Sequence, residues 1–412
     1  MSKKVPEWWT EDLLTNLVAT QRGTEPGSET YCGPDEGVRF LRIGDLSGKT
    51  DNPVFTKANR LLQINSDDIL FALDGSPGLV AKGYIGAISS GIRLIKPKNQ
   101  KVKKDFIFYA LQSPKVQSIV KAYTTGSTIL HAGRSLQFIA ILLPPLPEQR
   151  KIAIILSSVD NAIEKTKAVI EQTKVLKKGL MQELLTRGIP GRHKKFKKTP
   201  IGMIPEEWEV KTIKELVCLC EYGLSKPLLS EPVGIPILRM NNLNNGEVDT
   251  KDIKYVVLTK EEEQKYILKS GDLLFNRTNS RDLVGKVAIY RGDKRMAFAS
   301  YLLRLRPKLE DVDSRWLNYY FNTDEIQDKL RHLATPGVSQ SNINAKILQS
   351  LKFRTPPLKE QKEISDLIEK VNKKINQENT IVERLNNVKS ALMQVLLTGE
   401  VRVKPIILGG KK

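Results

Sequence analysis

Hydrophobic positions along this chain change period, and then repeat the change. In the first third the apolar runs are short and broken by Gly, Asn, Asp and Ser, as in Leu79-Val80-Ala81 followed by Lys82-Gly83-Tyr84-Ile85-Gly86-Ala87. That texture predicts short strands joined by turns. Beyond Pro147 the spacing becomes three-four, through Ile152, Leu156, Val159, Ile163, Ile170, Leu176, Leu180 and Leu184, which predicts a long helix with a narrow apolar stripe. Short runs then return, as in Leu283-Val284-Gly285-Lys286-Val287-Ala288-Ile289-Tyr290. A second stripe follows at Ile364, Ile368, Val371, Ile375, Val382, Leu385, Val388, Leu392 and Leu396. Prolines before each stripe suit an entry turn, since proline is accepted in a first helical turn and excluded from the interior. Gly188-Ile189-Pro190-Gly191 and Gly399 are stop signals.

The two halves are copies. Pro144-Pro145-Leu146-Pro147-Glu148-Gln149 matches Pro356-Pro357-Leu358-Lys359-Glu360-Gln361, an offset of 212 (144 to 356). The same offset carries Leu180-Met181-Gln182 onto Leu392-Met393-Gln394 and Leu184-Leu185-Thr186 onto Leu396-Leu397-Thr398. Helical periodicity alone would not fix Met, Gln and Thr, so the match means duplication. Upstream, with small shifts from loop insertions, Pro6-Glu7-Trp8-Trp9 parallels Pro205-Glu206-Glu207-Trp208, and Leu17-Val18 parallels Leu216-Val217. Phe40-Leu41-Arg42 likewise parallels Ile237-Leu238-Arg239, and Ser66-Asp67-Asp68-Ile69-Leu70-Phe71 parallels Ser270-Gly271-Asp272-Leu273-Leu274-Phe275. Trp9 and Trp208, at matched places, read as core anchors.

The expected fold is α+β: two β-rich globular domains separated by an antiparallel pair of long helices, a coiled coil, with an internal pseudo-two-fold duplication. Expected boundaries are 1–143 for the first domain, 144–188 for the first helix, 189–202 for a basic linker, 203–355 for the second domain, 356–400 for the second helix and 401–412 for a tail. A stripe this narrow asks for a partner helix. Pairing the two with each other would make a rod of roughly 60 Å from about 40 residues at 1.5 Å each. The other reading packs each helix on its own globule only.

Charge narrows the partner. Lys and Arg number 66 against 46 Asp and Glu, a formal net charge of +20, which a polyanion would neutralise. The segment Arg192-His193-Lys194-Lys195-Phe196-Lys197-Lys198 could clamp phosphates without reading sequence or serve as a solvated linker. Cys32, Cys218 and Cys220 are the three cysteines. An odd number without a second close pair argues against disulfides and zinc, and Cys218 and Cys220 read as core filler on a strand. The start, Met1-Ser2-Lys3-Lys4-Val5-Pro6, lacks an apolar signal core, and there is no run of 18 apolar residues, so the expected location is cytoplasmic with no membrane contact.

The polar stretches between matched strands differ between the copies, which is where two different targets would be read. In the second copy Arg239, Asn241, Asn242, Arg277, Thr278, Asn279, Arg281 and Lys286 are candidates, because Arg pairs bidentately with guanine and Asn with adenine. Arg42, Asp45, Asp74, Ser76 and Lys82 are the counterparts in the first. A further loop before each Pro-Pro offers Thr125 and Ser127, and Gln340 and Asn342, suited to phosphate or base-edge contacts. For each of these a plain turn role stays open, since turns use the same residue types. His131 has no ligand or triad neighbour at suitable spacing and reads as structural or a DNA contact.

No catalytic centre emerges. There is no Asn-Pro-Pro-Tyr motif, no P-loop and no His pair for metal; Pro34-Asp35 and Glu209-Val210-Lys211 lie too far apart to make a nuclease signature. No cofactor is expected. An RNA-binding protein or a non-catalytic coiled-coil scaffold is the alternative, weakened by aromatics of only 6% that do not interleave with basic residues.

The duplicated Pro144–Gln149 and Leu180–Thr186 stretches, their copies Pro356–Gln361 and Leu392–Thr398, and Ile201-Gly202-Met203-Ile204-Pro205-Glu206-Glu207-Trp208 resemble the specificity (S) subunit of type I restriction-modification systems across essentially the whole chain. The resemblance implies that each globule is a target recognition domain reading half of a bipartite asymmetric sequence in double-stranded DNA. It implies that the helices fix the spacer and dock two modification (methyltransferase) subunits, to which restriction (ATP-dependent translocase and endonuclease) subunits add. It transfers no base-contact residue, because the recognition loops vary freely.

Overall fold

The structure, a computed structural model, describes residues 6–48, 52–281, 283–336 and 341–403. The chain divides into two units, Met1–Ala168 with Asn379–Lys412, and Val169–Glu378.

In the first unit a four-stranded antiparallel sheet runs in the order Val18–Arg22, Ile92–Pro97, Ile69–Ala72, Val80–Ala81. All four residues of Ile69–Ala72 are buried, because this strand has neighbours on both sides and cover on both faces, which explains its unbroken apolar run. A second sheet contains Val38–Leu41 parallel to Gly86–Ile88. Helices Lys104–Gln112 and Pro114–Ala122 cover the first sheet, with Phe106, Tyr109 and Val116 packed among Phe71 and Ile95. Ser113 caps the second of these helices, its Oγ accepting from Val116 N at 3.4 Å, and Pro114 opens it.

The second unit repeats the plan. Val217–Tyr222, Leu302–Pro307, Leu273–Asn276 and Val287–Ile289 are adjacent in a six-stranded sheet, and Leu273–Asn276 is again wholly buried. Helices Ser314–Phe321 and Asp324–Leu333 follow. Asp313 caps the first, accepting from Arg315 N at 2.9 Å and Trp316 N at 3.0 Å. Asp324 and Glu325 at the start of the other, and Arg331 and His332 at its end, suit the helix dipole.

The long helices are Leu146–Thr186 and Leu358–Leu396. In the first unit Ile152 and Leu156 share a core with Met393, Leu396 and Leu397; in the second, Leu184 and Leu185 share a core with Ile364 and Ile368. Each unit therefore holds the opening of one long helix against the end of the other. The apolar stripe is not buried throughout: Leu176 is 64% and Val388 48% exposed.

The repeated Glu-Gln pair explains why each helix begins where it does. Glu148 accepts the Trp9 indole N–H at 3.1 Å, and Glu360 that of Trp208 at 3.0 Å. Gln149 accepts from Lys103 N at 2.8 Å and donates to the carbonyls of Lys101 and Pro144, both at 2.9 Å. Gln361 does the same, accepting from Asp313 N at 2.9 Å and donating to Asp311 O at 3.1 Å and Pro356 O at 2.8 Å. All four side chains are buried, so each amide satisfies backbone groups that would otherwise be orphaned inside the protein. Trp9 and Trp208 are core anchors, as the sequence indicates.

The segment after each long helix closes on the glutamate at the start of the other. Arg402 forms a bidentate pair with Glu148, both contacts at 2.9 Å, and Val403 N adds a third bond at 3.0 Å. In the second unit His193 Nε2 lies 2.8 Å from Glu360 and its Nδ1 lies 2.9 Å from Glu207. This corrects the expectation of a linker at 189–202: Phe196–Thr199 pairs with Gly202–Pro205 as a hairpin, and the His193 side chain is only 5% exposed. Likewise the stretch 401–403 is docked rather than a free tail. Cys218 is exposed with its thiol on Arg306 O, and only Cys220 is partly buried against the core, so Cys218 is not the core filler expected. The pairing of strand Val217–Tyr222 with Leu302–Pro307 is irregular between Val217 and Leu219, which takes Cys218 out of the regular alternation.

Burial pushes the Glu148 carboxyl up, but Arg402, the Val403 amide and the Trp9 indole outweigh it and hold the group below its ordinary value of 4.5. A carboxyl depressed in the folded state contributes stability that is present above pH about 4.5 and is lost as pH falls through the folded value. Glu148→Gln is expected to flatten the acid side of the stability profile of the full chain, measured by denaturation midpoints between pH 3 and 7. Gln361→Ala, which leaves three backbone groups unpaired, should cost about 2–4 kcal/mol, read from denaturant unfolding at neutral pH.

Candidate nucleic-acid interface

Two polar loops far apart in sequence meet in each unit. In the first, Asp74 pairs with His131 as a β-bridge, Thr125 bridges His131 from the other side, and Gly75 N donates to Leu130 O at 2.8 Å. In the second, Thr278–Asn279 pairs antiparallel with Ser341–Asn342, which pairs in turn with Thr335–Pro336. The supporting bond recurs: Ala132 N donates to Leu73 O at 2.7 Å, and Ile343 N to Arg277 O at 2.9 Å. One scaffold thus brings Asp74 and Thr125 together on either side of His131 in the first unit, with Ser76 in the same turn as Asp74, and Arg277, Thr278, Asn279 and Asn342 in the second; Ser127 lies in the Thr125 loop with no bond to the Asp74 turn among the described residues. Gln340 lies outside the described residues.

The side chains at these equivalent places differ. In the first unit Asp74 is partly buried, with His131 Nδ1 at 2.9 Å, Arg93 at 3.5 Å and Arg22 at 3.6 Å. Ser76, Thr125 and Ser127 are exposed. Burial lowers the Arg93 guanidinium below its ordinary value, Asp74 opposes that, and the like charge of Arg22 adds to it. In the second unit the Arg277 guanidinium lies 5.0 Å from the Tyr222 ring centre, a cation–π geometry, with Nη1 on Ser300 O at 3.3 Å. Arg277 Nε, Thr278 Oγ1 and Asn342 Oδ1 are buried and carry no hydrogen bond among the described residues. Buried polar atoms left without a partner are uncommon in a folded protein, which singles out these loop residues. Arg281 is exposed nearby in the chain.

The other expected residues divide. Asp45 is a cap: it is buried, accepts Arg42 N at 2.7 Å, closes the turn Ile43–Leu46 and pairs with Arg39. Asn242 does the same job in the second unit, accepting Arg239 N at 2.9 Å and donating to the carbonyls of Asp249 and Asp252. With their polar atoms committed and their surfaces covered, neither is available to read a base. Arg42 serves as the N-cap residue of that turn, and Ile43 packs below Gly75, whose positive φ of 75° needs glycine. Arg239 and Asn241 both bond to Asp252, at 2.9 and 3.0 Å. Lys82 lies over the Phe108 ring and 3.5 Å from Asp105, tied to the helical layer. Lys286 sits in the turn beside Gly285, which packs on Leu330 of a helix, and its carbonyl accepts from Asn276 N at 2.8 Å. Neither lysine joins the loop pair.

Arg22, Arg93 and Tyr222 were not singled out by the sequence. The signal was there: Arg22 and Tyr222 each precede a glycine in the matched strands, Gly23 and Gly223. A side chain on either glycine would come within 2.2 Å of a carbonyl oxygen, that of Ser89 or of Ala299.

The family described as "Type I restriction modification DNA specificity domain" matches residues 9–173 and again 205–387. The chain belongs to this family. DNA sequence specificity is its role, without a catalytic centre of its own. The type I restriction enzyme MjaVIII specificity subunit of Methanocaldococcus jannaschii is 30% identical over 97% of this chain and 95% of its own length. The StySPI specificity subunit of Salmonella potsdam is 25% identical over 99% and 93%. Among solved structures, the type I restriction-modification S subunit from M. genitalium has a TM-score of 0.56 at 14% identity, covering 96% of this chain and 97% of that one. A chain from a study of complex assembly and conformational transition in a type I system gives 0.57 at 18%, covering 97% and 100%. At such identities these two speak for the fold. No described helix is long and apolar enough to cross a membrane.

Asp45→Ala and Asn242→Ala are expected to lower stability by about 1–3 kcal/mol through loss of a cap and its buried bonds. Base preference should not change, as measured by binding selection on randomised duplexes.

Proposed function

We propose that the chain reads a bipartite, asymmetric sequence in double-stranded DNA, the first unit contacting one half and the second the other, through the paired loops described above. The domains would be the stretches 1–143 and 203–355, the hairpin straddling the start of the latter. The long helices, 144–188 and 356–400 in this division, would run antiparallel as a coiled coil and set the spacer between half-sites. Two modification subunits would dock on the helical pair, with restriction subunits added to that core, all in the cytoplasm.

The observation that carries this reading is that the same two loops are joined by the same backbone bonds in both units while their side chains differ. A common frame with different polar groups is what two different half-sites require. The antiparallel arrangement is supported by the opening of one long helix packing on the end of the other in each unit. The net charge of +20 supplies the sequence-independent part of DNA affinity.

Replacing Arg277 and Asn279 with Ala is the test. Methylated-site profiling of the complex assembled with its modification subunits should show relaxed sequence in one half-site and an unchanged other half. Relaxation of both halves together would argue against one reader per half. Inserting four residues into both long helices should change the preferred spacer and leave the half-sites as they were; an unchanged spacer would remove the helices from that role.

A further inference from the structure

The cluster around Asp74 is a built constellation rather than a turn. Three donors from three segments converge on one carboxylate whose side chain is 13% exposed: Arg22 from the end of its strand, Arg93 from the neighbouring strand, and His131 from the second loop. Arg93 is the inner member. Its side chain is 12% exposed, and its Nη1 is held by Ser90 O at 2.6 Å. Arg22 is the outer member, 61% exposed, with Nε donating to the same Ser90 carbonyl at 2.9 Å and Nη2 turned to Asp74. One hydrogen bond, to Ser90 O, and an ion pair with Asp74 at 3.6 Å orient the Arg22 guanidinium, and its remaining N–H groups are left for a ligand. Asp74 has one oxygen on His131 at 2.9 Å and the other facing Arg93 at 3.5 Å and Arg22 at 3.6 Å, so its oxygens are turned to these partners rather than to a base.

A fold requirement is the bland explanation, and the second unit argues against it. Arg93 pairs with Arg22 and Phe71 across the sheet, as Leu303 pairs with Tyr222 and Phe275. Asp74 faces His131 as Thr278 faces Asn342. The positions of Arg22, Arg93, Asp74 and His131 are therefore held by Tyr222, Leu303, Thr278 and Asn342 on the same frame. None of the four polar side chains is kept, yet the strands and the loop pairing are. The cluster is therefore particular to the first unit and is not required by the shared frame.

We propose that Arg22 is the specificity-determining side chain of the first unit, reading the O6 and N7 acceptors of a guanine, and that Asp74 is the positioning residue that orients it, with Arg93 as the inner support. A guanidinium oriented by a hydrogen bond and an ion pair presents the planar fork that matches that acceptor pair. The inference rests on the reading of the first unit as one half-site reader. It adds the base, the residue and the support.

The test uses the full chain assembled with its modification subunits, in competition binding on duplexes carrying every base pair at each position of the half-site that the second-unit variants leave unchanged. Arg22→Lys, which retains charge and the Asp74–Arg93–His131 contacts, should lower discrimination at a single G·C pair by roughly ten- to hundredfold. Replacing that guanine by 7-deazaguanine, which lacks N7, should weaken wild-type binding and leave the Arg22→Lys protein almost unaffected. Asp74→Asn should reduce discrimination at the same pair, and Arg22→Lys stands as the test if that protein does not fold. An equal loss on all sequences would mean a phosphate contact and overturn the proposal, as would unchanged preference at every position. If Arg277→Ala relaxes its own half-site while the Arg22 variants change nothing, this inference fails alone; if neither affects base preference, the half-site reading fails with it.

Discussion

The buried glutamate at the start of each long helix is the contact on which the architecture depends. Glu148 and Glu360 each take a tryptophan indole from the start of their globule and a basic side chain from the segment following the other long helix. A carboxylate in so covered a position is tolerable only while every partner is in place, because a buried charge without them costs several kcal/mol. Each glutamate therefore enforces agreement among three stretches: the strand entry, the helix start and the end of the other helix. The adjacent glutamines fix the loop before the helices, so the rigid junction is built from two residues repeated in the sequence.

That junction leaves the far loops free to vary. Backbone bonds hold the two loops together in both units, through Ala132 to Leu73 and Ile343 to Arg277. In one unit the face is an ionic cluster about Asp74, and in the other it is an arginine stacked on Tyr222 with unpaired polar atoms around it.

Much of this was legible in the sequence where a signal was doubled. Periodicity marked the helices, and the repeated Pro-Pro, Glu-Gln and Trp positions marked the duplication, because each answers to a packing constraint that both copies share. What was hidden depends on contacts between distant segments. Asp45 and Asn242 look like readers by residue type, yet each folds back three residues to cap a turn. Arg22 and Tyr222 end up in the face through strand order, which composition does not encode. The basic run near Arg192 gave no sign that His193 would be enclosed between two carboxylates.

The most direct measurement is photocrosslinking of the assembled complex to a single cognate duplex, with a benzophenone residue placed at Ser76 or at Arg281. The account predicts that adducts from the two positions map to opposite halves of the recognition sequence. Adducts from both positions in the same half, or adducts outside the sequence altogether, would contradict it.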